Sequence, residues 1–215
     1  MSKWFTWVWA LLFVALISAA PAYANTTLRV IASFSVMEEL VKRVAGDTVS
    51  VNVIVPRGED VHRWELTPPN VLALEETHIV FYNGLGLEPW IRHVEAMSDD
   101  RLTLVEVAKK ADYTPLTIST GQYKGEPDPH MWMDPEGAAA YIDVIAETLA
   151  EHLPEQADAF YTRADEARKA LNNLNQAVKE RLEGIPQTNR TLLTSEAGFG
   201  YFARAYAFDA QGVWG

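Results

Sequence analysis

Short apolar runs alternate with amphipathic stretches through the first half of the chain. The apolar runs predict buried strands over residues 28–33, 51–55, 78–82 and 102–105. The stretches between them predict helices that begin near positions 35, 69 and 89. Because strand and helix alternate at this spacing, the pattern predicts an α/β fold in which helices cover both faces of a parallel sheet.

The first predicted helix has signals at both of its ends. Ser35 and Glu38 have the spacing of a capping box, and Gly46 is typical of the residue after a helix. The apolar positions between them share one face at helical spacing: Val36, Leu40, Val41 and Val44. We therefore expect this face to be buried in the core.

The second half of the chain is organised differently. Residues 112–128 are rich in Pro, Gly, Thr and Ser and predict a loop. Asp134 followed by Pro135 predicts the start of a helix that ends near His152. Over Pro154–Glu183 apolar residues recur in steps of three and four, which predicts one helix of about thirty residues, roughly 45 Å long. A coiled coil is the alternative, but the many alanines favour a strut packed along the body of the protein.

A second series of strand and helix begins after this long helix. Thr191–Ser195 predicts a strand and Gly198–Tyr206 predicts a helix, and the sequence then reaches Gly215. A lone strand–helix unit cannot bury its own sheet face. We therefore expect the second lobe to be truncated here, either because the sequence is a fragment or because the protein is truncated.

The first 24 residues have the features of a secretory signal peptide. Lys3 is followed by an apolar run of 17 residues, and Ala22 and Ala24 form a small-x-small cleavage site. An uncleaved membrane anchor is the alternative, although a bilayer core needs roughly 20 residues. We expect a mature chain that begins near Asn25, without the cysteine that a lipid anchor requires, in the periplasm of a Gram-negative bacterium.

The charge and the residue composition argue against several classes of function. The formal net charge of -11 argues against binding to nucleic acid, which requires basic surfaces, and slightly favours a cationic ligand. The sequence has no cysteine, so it offers no disulfide, no thiolate metal site and no thiol nucleophile.

Three side chains that can bind a metal lie in loops or at strand ends. His62 is in the loop after the second predicted strand, His130 precedes a predicted helix, and Glu196 follows the last predicted strand. Open α/β sheets bind ligands at the carboxyl ends of their parallel strands. We therefore expect the three side chains to converge in a cleft between two lobes. The other histidines are expected to be structural: His78, His93 and His152.

Three segments carry a resemblance to a known family. VPRGEDVHRWELTP, DPHMWMDPEGA and TSEAGFGYFARAYA resemble the metal-binding receptors of manganese, iron and zinc ABC importers. The resemblance implies two α/β lobes joined by one long rigid helix, with His62, His130 and Glu196 as metal ligands. The family's fourth ligand, an aspartate from a late strand of the second lobe, has no counterpart in this chain. The acids that could replace it are Glu65, Asp128 and Asp209.

The resemblance also implies a division of the chain and a partner. The parts are a signal peptide over 1–24, an N-terminal α/β lobe over 25–152, a long connecting helix over 153–185 and the start of a C-terminal α/β lobe over 186–215. The protein would act as a monomeric receptor, without catalysis. It would deliver its metal to the permease of an ABC importer with its ATPase, and would contact the membrane only through that permease.

The ligand types favour some metals over others. Two imidazoles and a carboxylate suit Mn²⁺ or Fe²⁺ better than Zn²⁺, and residues 112–128 lack the histidines typical of zinc members of the family. Zinc nevertheless binds such donors more tightly than manganese, so Zn²⁺ stays an alternative cargo. The alternative function is a metalloenzyme with a two-histidine, one-carboxylate iron site, although the zinc-protease motif H-E-x-x-H is absent.

Overall fold

The computed structural model describes residues 27–214. In this range a four-stranded sheet comes first, two long helices follow, and a two-stranded sheet comes last. The predicted signal peptide over residues 1–24 lies outside the described residues. Among the helices of residues 27–214, none combines the length and the apolar character that a membrane crossing requires.

The first sheet is parallel throughout and has the strand order β2-β1-β3-β4. Its strands are β1 Leu28–Ala32, β2 Val49–Val53, β3 Ile79–Tyr82 and β4 Thr103–Glu106. The helices that accompany them are α1 Ser35–Ala45, α2 Pro68–Glu75, α3 Ile91–Met97 and α4 Val107–Lys110. Every residue of β3 is buried, as expected for a parallel strand covered on both faces. The predicted α/β fold is therefore confirmed.

The start of α1 differs from the prediction. Phe34, in an extended conformation, precedes the first helical residue, and no side chain caps the helix. The predicted capping box is wrong because Glu38 is buried and accepts a hydrogen bond from Lys42 Nζ at 2.5 Å, one turn further along the helix. Met37 rather than Val36 faces the core, since Met37 is 0% exposed and Val36 is 37% exposed.

Two long helices pack against α1 and against each other. The first, α5, spans Pro135–His152. The Asp134 side chain accepts a hydrogen bond from the backbone N–H of Glu136 at 2.9 Å, which confirms the predicted N-cap. The second, α6, spans Ala157–Glu183 after a single 3₁₀ turn at Pro154–Gln156. The structure therefore contains the predicted long helix.

Only part of α6 packs as a strut. Arg163 fixes this helix at the carboxyl end of α1, because its guanidinium donates hydrogen bonds to the carbonyl oxygens of Val44 at 2.6 Å and Ala45 at 2.9 Å. The buried apolar residues of α6 lie close to this contact: Phe160, Ala164 and Ala167. Further along the predicted stripe Leu174 is 55% exposed, so the apolar stripe is not buried over its whole length.

The last part of the described chain forms a two-stranded parallel sheet. Its elements are β5 Thr191–Glu196, α7 Gly200–Tyr206 and β6 Asp209–Trp214. The expectation of a lone strand–helix unit is therefore wrong, because residues 209–214 form a second strand beside β5. The sequence of this strand, DAQGVW, contains Asp, Ala and Gly, which are depleted in strands, so its composition did not predict a strand.

Gly137, in the first turn of α5, leaves room for the chain just after His130. A Cβ atom at this position would lie 2.2 Å from the backbone oxygen of Met131. We expect Gly137→Ala to lower the free energy of unfolding by roughly 1–3 kcal/mol, because the overpacking outweighs the gain in helix propensity. Urea unfolding measures the change. Gly184→Ala is the matched control, since a Cβ there would meet nothing within 4 Å. Equal changes in the two variants would contradict the prediction.

A buried carboxyl group lies in the segment that follows β3. Glu88 is 2% exposed, and its carboxylate accepts hydrogen bonds from the backbone N–H groups of Asn83 at 2.7 Å and Gly84 at 3.0 Å. Burial disfavours the charged form more than these bonds favour it, and raises the pKa of Glu88 to about 7. The folded protein therefore holds this proton more tightly than the unfolded chain does.

This raised pKa predicts a pH-dependent stability. The contribution of Glu88 to the free energy of unfolding should be greatest below the unfolded pKa of 4.5 and should be lost as the pH rises through about 7. The loss amounts to roughly 3 kcal/mol. Urea unfolding at about pH 4.5 and pH 8 should show this loss in the natural protein and not in Glu88→Gln, which cannot ionise. The exposed Glu95 of α3 supplies the control, Glu95→Gln, and the prediction fails if Glu88→Gln keeps the full pH dependence.

Candidate metal centre

His62 projects from a short 3₁₀ turn, Val61–Arg63, in the loop that follows β2. The turn begins after Asp60, whose carboxylate accepts a hydrogen bond from the backbone N–H of His62 at 2.9 Å. The side chain of His62 is 33% exposed. The local sequence therefore fixes the backbone of His62 and leaves its imidazole open to an incoming ligand.

His130 lies in the Asp-Pro-His loop before α5. Asp128 Oδ1 accepts a hydrogen bond from the backbone N–H of His130 at 2.9 Å and lies 2.8 Å from the ring Nδ1 of the same residue. This contact occupies Nδ1 and leaves Nε2 free to bind a metal. Gly198 lies against the ring, where a Cβ atom would be 3.3 Å from Nε2, so a larger residue would crowd the imidazole.

Glu196 comes from the other sheet. It is the last residue of β5 rather than the residue after the strand, and its side chain is 59% exposed. Its Oε1 atom lies 3.2 Å from His62 Nε2, which in turn lies 3.3 Å from His130 Nε2. One donor atom from each of the three residues lies within 4.8 Å of the other two. The structure thus brings together the three side chains that the sequence singled out.

Two imidazole nitrogens and a carboxylate oxygen at these separations can bind one divalent cation. Metal bonds of about 2.1 Å place tetrahedral donor atoms about 3.4 Å apart, close to the separations of the two shorter pairs. The donor set combines two neutral ligands with one anionic ligand, so one negative charge offsets part of the charge of the cation.

Burial favours the protonation state of His62 that binds metals. Desolvation lowers the pKa of His62 below its ordinary value, an effect that the negative charge of Glu196 opposes. A lowered pKa keeps the imidazole neutral near neutral pH, with a lone pair on one ring nitrogen.

The other acids considered as further ligands differ in position. Asp128 contacts the Nδ1 side of His130 and so acts as its hydrogen-bond partner. Asp209 pairs with Thr191 at the opposite end of β5 from Glu196, five residues or roughly 17 Å away. Glu65 is not a member of the cluster that the three donor side chains form.

Two of the remaining histidines have contacts that explain them structurally. His78 Nδ1 accepts a hydrogen bond from the backbone N–H of Arg29 at 3.0 Å. His152 contacts Thr103 Oγ1 at 3.0 Å and the carbonyl oxygen of Thr148 at 2.9 Å. Neither ring is part of the three-residue cluster.

Sequence reasoning missed the residues that support the donor side chains. The role of Asp128 has a local signal, because an Asp two residues before a backbone N–H is the pattern of an Asx turn. Tyr201, on α7, has no such signal. Its hydroxyl contacts the loop of His130 from 73 residues away, a distance over which no sequence pattern operates.

The sequence matches known metal-binding proteins. The family described as zinc-uptake complex component A, periplasmic (ZnuA), matches residues 30–215. The manganese-binding lipoprotein MntA of Halalkalibacterium halodurans is 35% identical over 188 residues, which cover 87% of this chain and 60% of MntA. The iron-binding protein YfeA of Yersinia pestis is 31% identical over 209 residues, which cover 94% of this chain and 66% of YfeA. The chain thus spans less than two thirds of the length of both relatives.

Solved structures share the fold. A manganese-bound periplasmic metal-binding protein from Candidatus Liberibacter asiaticus superposes with a TM-score of 0.76 and 25% sequence identity, and the match covers 87% of this chain and 69% of that protein. A zinc-bound deletion mutant of ZnuA superposes with a TM-score of 0.79 and 28% identity, covering 87% of this chain and 70% of that one.

Proposed function

The chain belongs to the ZnuA family of metal-uptake components, and from this premise we propose that it is an extracytoplasmic receptor for a divalent transition metal. His62, His130 and Glu196 bind the metal. The loaded receptor delivers it to the permease of an ABC importer driven by an ATPase. The observation that carries the proposal is the group of three donor atoms within 4.8 Å of one another, two of them from loops and the third from the end of β5.

Manganese or ferrous iron is the proposed cargo, in preference to zinc. The relatives are named for manganese and iron, whereas the family is named for zinc, so the names alone do not choose between the metals. The donor set favours the harder cations, because a carboxylate oxygen stands where a third imidazole would suit zinc. Zinc would still bind such donors more tightly than manganese by intrinsic affinity, so selectivity in the cell would depend on metal supply as well as on the site.

Residues 25–152 and 186–215 are proposed to belong to two lobes, with 153–185 as the connecting helix. The observed elements support this division, because each sheet lies on its own side of α6 in the sequence. We further propose that residues 1–24 are removed during export, which leaves Asn25 as the first residue. N-terminal sequencing of the secreted protein tests the cleavage.

Metal titration of the purified protein tests the proposal. The protein, stripped of metal, should bind one equivalent of Mn²⁺ in calorimetry, and anaerobic Fe²⁺ should compete for the same site. His62→Ala should weaken the binding of both ions by roughly 100-fold or more. Binding of neither ion by the natural protein, or unchanged affinity in His62→Ala, would overturn the assignment.

The metalloenzyme alternative gains no support from the comparisons. The relatives are named as metal-binding or substrate-binding proteins of transporters rather than as enzymes. A receptor site requires metal ligands and a route for release of the metal, but no reacting group. The three donor side chains are therefore sufficient for it.

A further inference from the structure

Tyr201 joins the second sheet to the loop that carries His130. It lies on α7, five residues after Glu196, and is 0% exposed. Its hydroxyl donates a hydrogen bond to the carbonyl oxygen of Asp128 at 2.6 Å and accepts one from the backbone N–H of Leu116 at 2.9 Å. One side chain from the β5–α7–β6 unit thus binds two backbone segments that precede α5.

This contact is at Asp128, two residues before the proposed ligand His130. Asp128 receives the Tyr201 hydroxyl on its carbonyl oxygen and holds the His130 ring through its Oδ1 atom. Gly200 approaches the same side chain, since a Cβ there would lie 3.4 Å from Asp128 Oδ2. The helix therefore lies against both the backbone and the carboxylate that orient the His130 imidazole.

We propose that Tyr201 is a positioning residue of the metal site. Glu196 and Tyr201 belong to the same strand–helix unit, so the bond from Tyr201 to the His130 loop sets the separation between the Glu196 and His130 donor atoms. The inference rests on the proposed function, because it concerns the ligands assigned there. Tyr201 itself does not bind the metal.

The packing role of Tyr201 depends on its ring, whereas its link to the His130 loop depends on its hydroxyl. The ring centroid lies 6.0 Å from that of Tyr113, and the Arg204 guanidinium lies 5.5 Å from the Tyr201 ring. Phenylalanine keeps these packing contacts and removes only the hydroxyl. The substitution Tyr201→Phe therefore separates positioning from packing.

Titration of the natural protein, Tyr201→Phe and Tyr206→Phe with Mn²⁺ tests the proposal. Tyr206 is the matched control because it lies on the same helix and is 6% exposed, and its ring packs on Phe202 at 4.7 Å rather than on the loop. Tyr201→Phe should weaken Mn²⁺ binding by about 10-fold, the lower end of the range for direct hydrogen-bond partners of a metal ligand, because Tyr201 acts on His130 through Asp128. Tyr206→Phe should leave the affinity within about twofold. An equally small change in Tyr201→Phe would overturn the proposal.

A measurement on the metal-free protein keeps the result separate from the proposed function. The NMR resonances of the His130 imidazole should move in Tyr201→Phe and stay in place in Tyr206→Phe. Unmoved resonances in Tyr201→Phe would overturn the positioning role even if affinity falls. If the natural protein binds no metal, the proposed function is wrong. The NMR resonances of the His130 ring would then still test whether Tyr201 positions that ring.

Discussion

Replacing His130 by alanine is expected to weaken Mn²⁺ binding by roughly 100-fold or more. Structural Zn²⁺ sites of zinc fingers, which have four protein ligands, bind with about 10–16 kcal/mol, so one ligand of such a site contributes about 3 kcal/mol if the ligands share this equally. That contribution corresponds to more than about a hundredfold in Kd. Water would occupy the vacated position, but it is not held in place by Asp128 as the imidazole is.

The same substitution should have a modest effect on the fold. The side chain of His130 is 16% exposed, so it is more buried than a surface loop residue, and its ring lies 5.3 Å from that of Trp132. Alanine leaves the Asp128 carboxylate without its imidazole partner, which costs about 1–2 kcal/mol. The backbone bond between Asp128 and residue 130 is retained, so the loop keeps its Asx turn.

Calorimetric titration and thermal unfolding together test this prediction. His93→Ala is the matched control, because His93 is exposed on α3 and belongs to no part of the donor cluster. The control should bind Mn²⁺ like the natural protein. Unchanged affinity in His130→Ala would remove His130 from the ligand set. A large loss of stability would mean that unfolding of the variant, rather than the loss of a ligand, explains its weaker binding.

Replacing Glu196 by histidine is expected to shift the preference of the site from manganese toward zinc. Imidazole is a softer donor than carboxylate, and the change removes one negative charge from a site that favours hard cations. The side chain of Glu196 is 59% exposed, so the larger imidazole has room beside His62. We expect the ratio of Zn²⁺ affinity to Mn²⁺ affinity to rise by about tenfold or more, which is about 1.4 kcal/mol of preference.

Competition between the two metals measures this ratio directly. Glu196→Gln is the control, because it keeps an oxygen donor and removes the charge. It should weaken the binding of both metals without raising the ratio. A ratio that is the same in Glu196→His as in the natural protein would show that Glu196 does not tune selectivity.

Local patterns in the sequence determined most of the first sheet and its helices. Hydrophobic periodicity and capping depend on residues only two to four positions apart, so they are visible in the sequence itself. The strands of the first sheet, the cap at Asp134 and the end of α1 before Gly46 were predicted in this way. The prediction failed at Glu38, whose side chain is buried by tertiary packing and accepts a hydrogen bond from Lys42 instead of capping the start of the helix.

The second sheet shows a different limit of local patterns. β6 contains Asp, Ala and Gly, which are rare in strands, and it is a strand because its backbone pairs with β5 from Thr191 to Glu196. The pairing therefore could not be predicted from the residues of β6 alone.

The identities of the candidate ligands were determined by the sequence, and their convergence was decided by the tertiary structure. His62, His130 and Glu196 stand out because they are metal-binding side chains in loops or at strand ends, which is a local property. The 3.3 Å separation of the two histidines joins loops that are 68 positions apart in the first lobe. The 3.2 Å separation of His62 and Glu196 depends on the second sheet lying against those loops. The bond that brings Tyr201 to the His130 loop and the burial that raises the pKa of Glu88 are likewise tertiary. Contacts between distant segments follow from how whole elements pack, and no pattern of neighbouring residues encodes them.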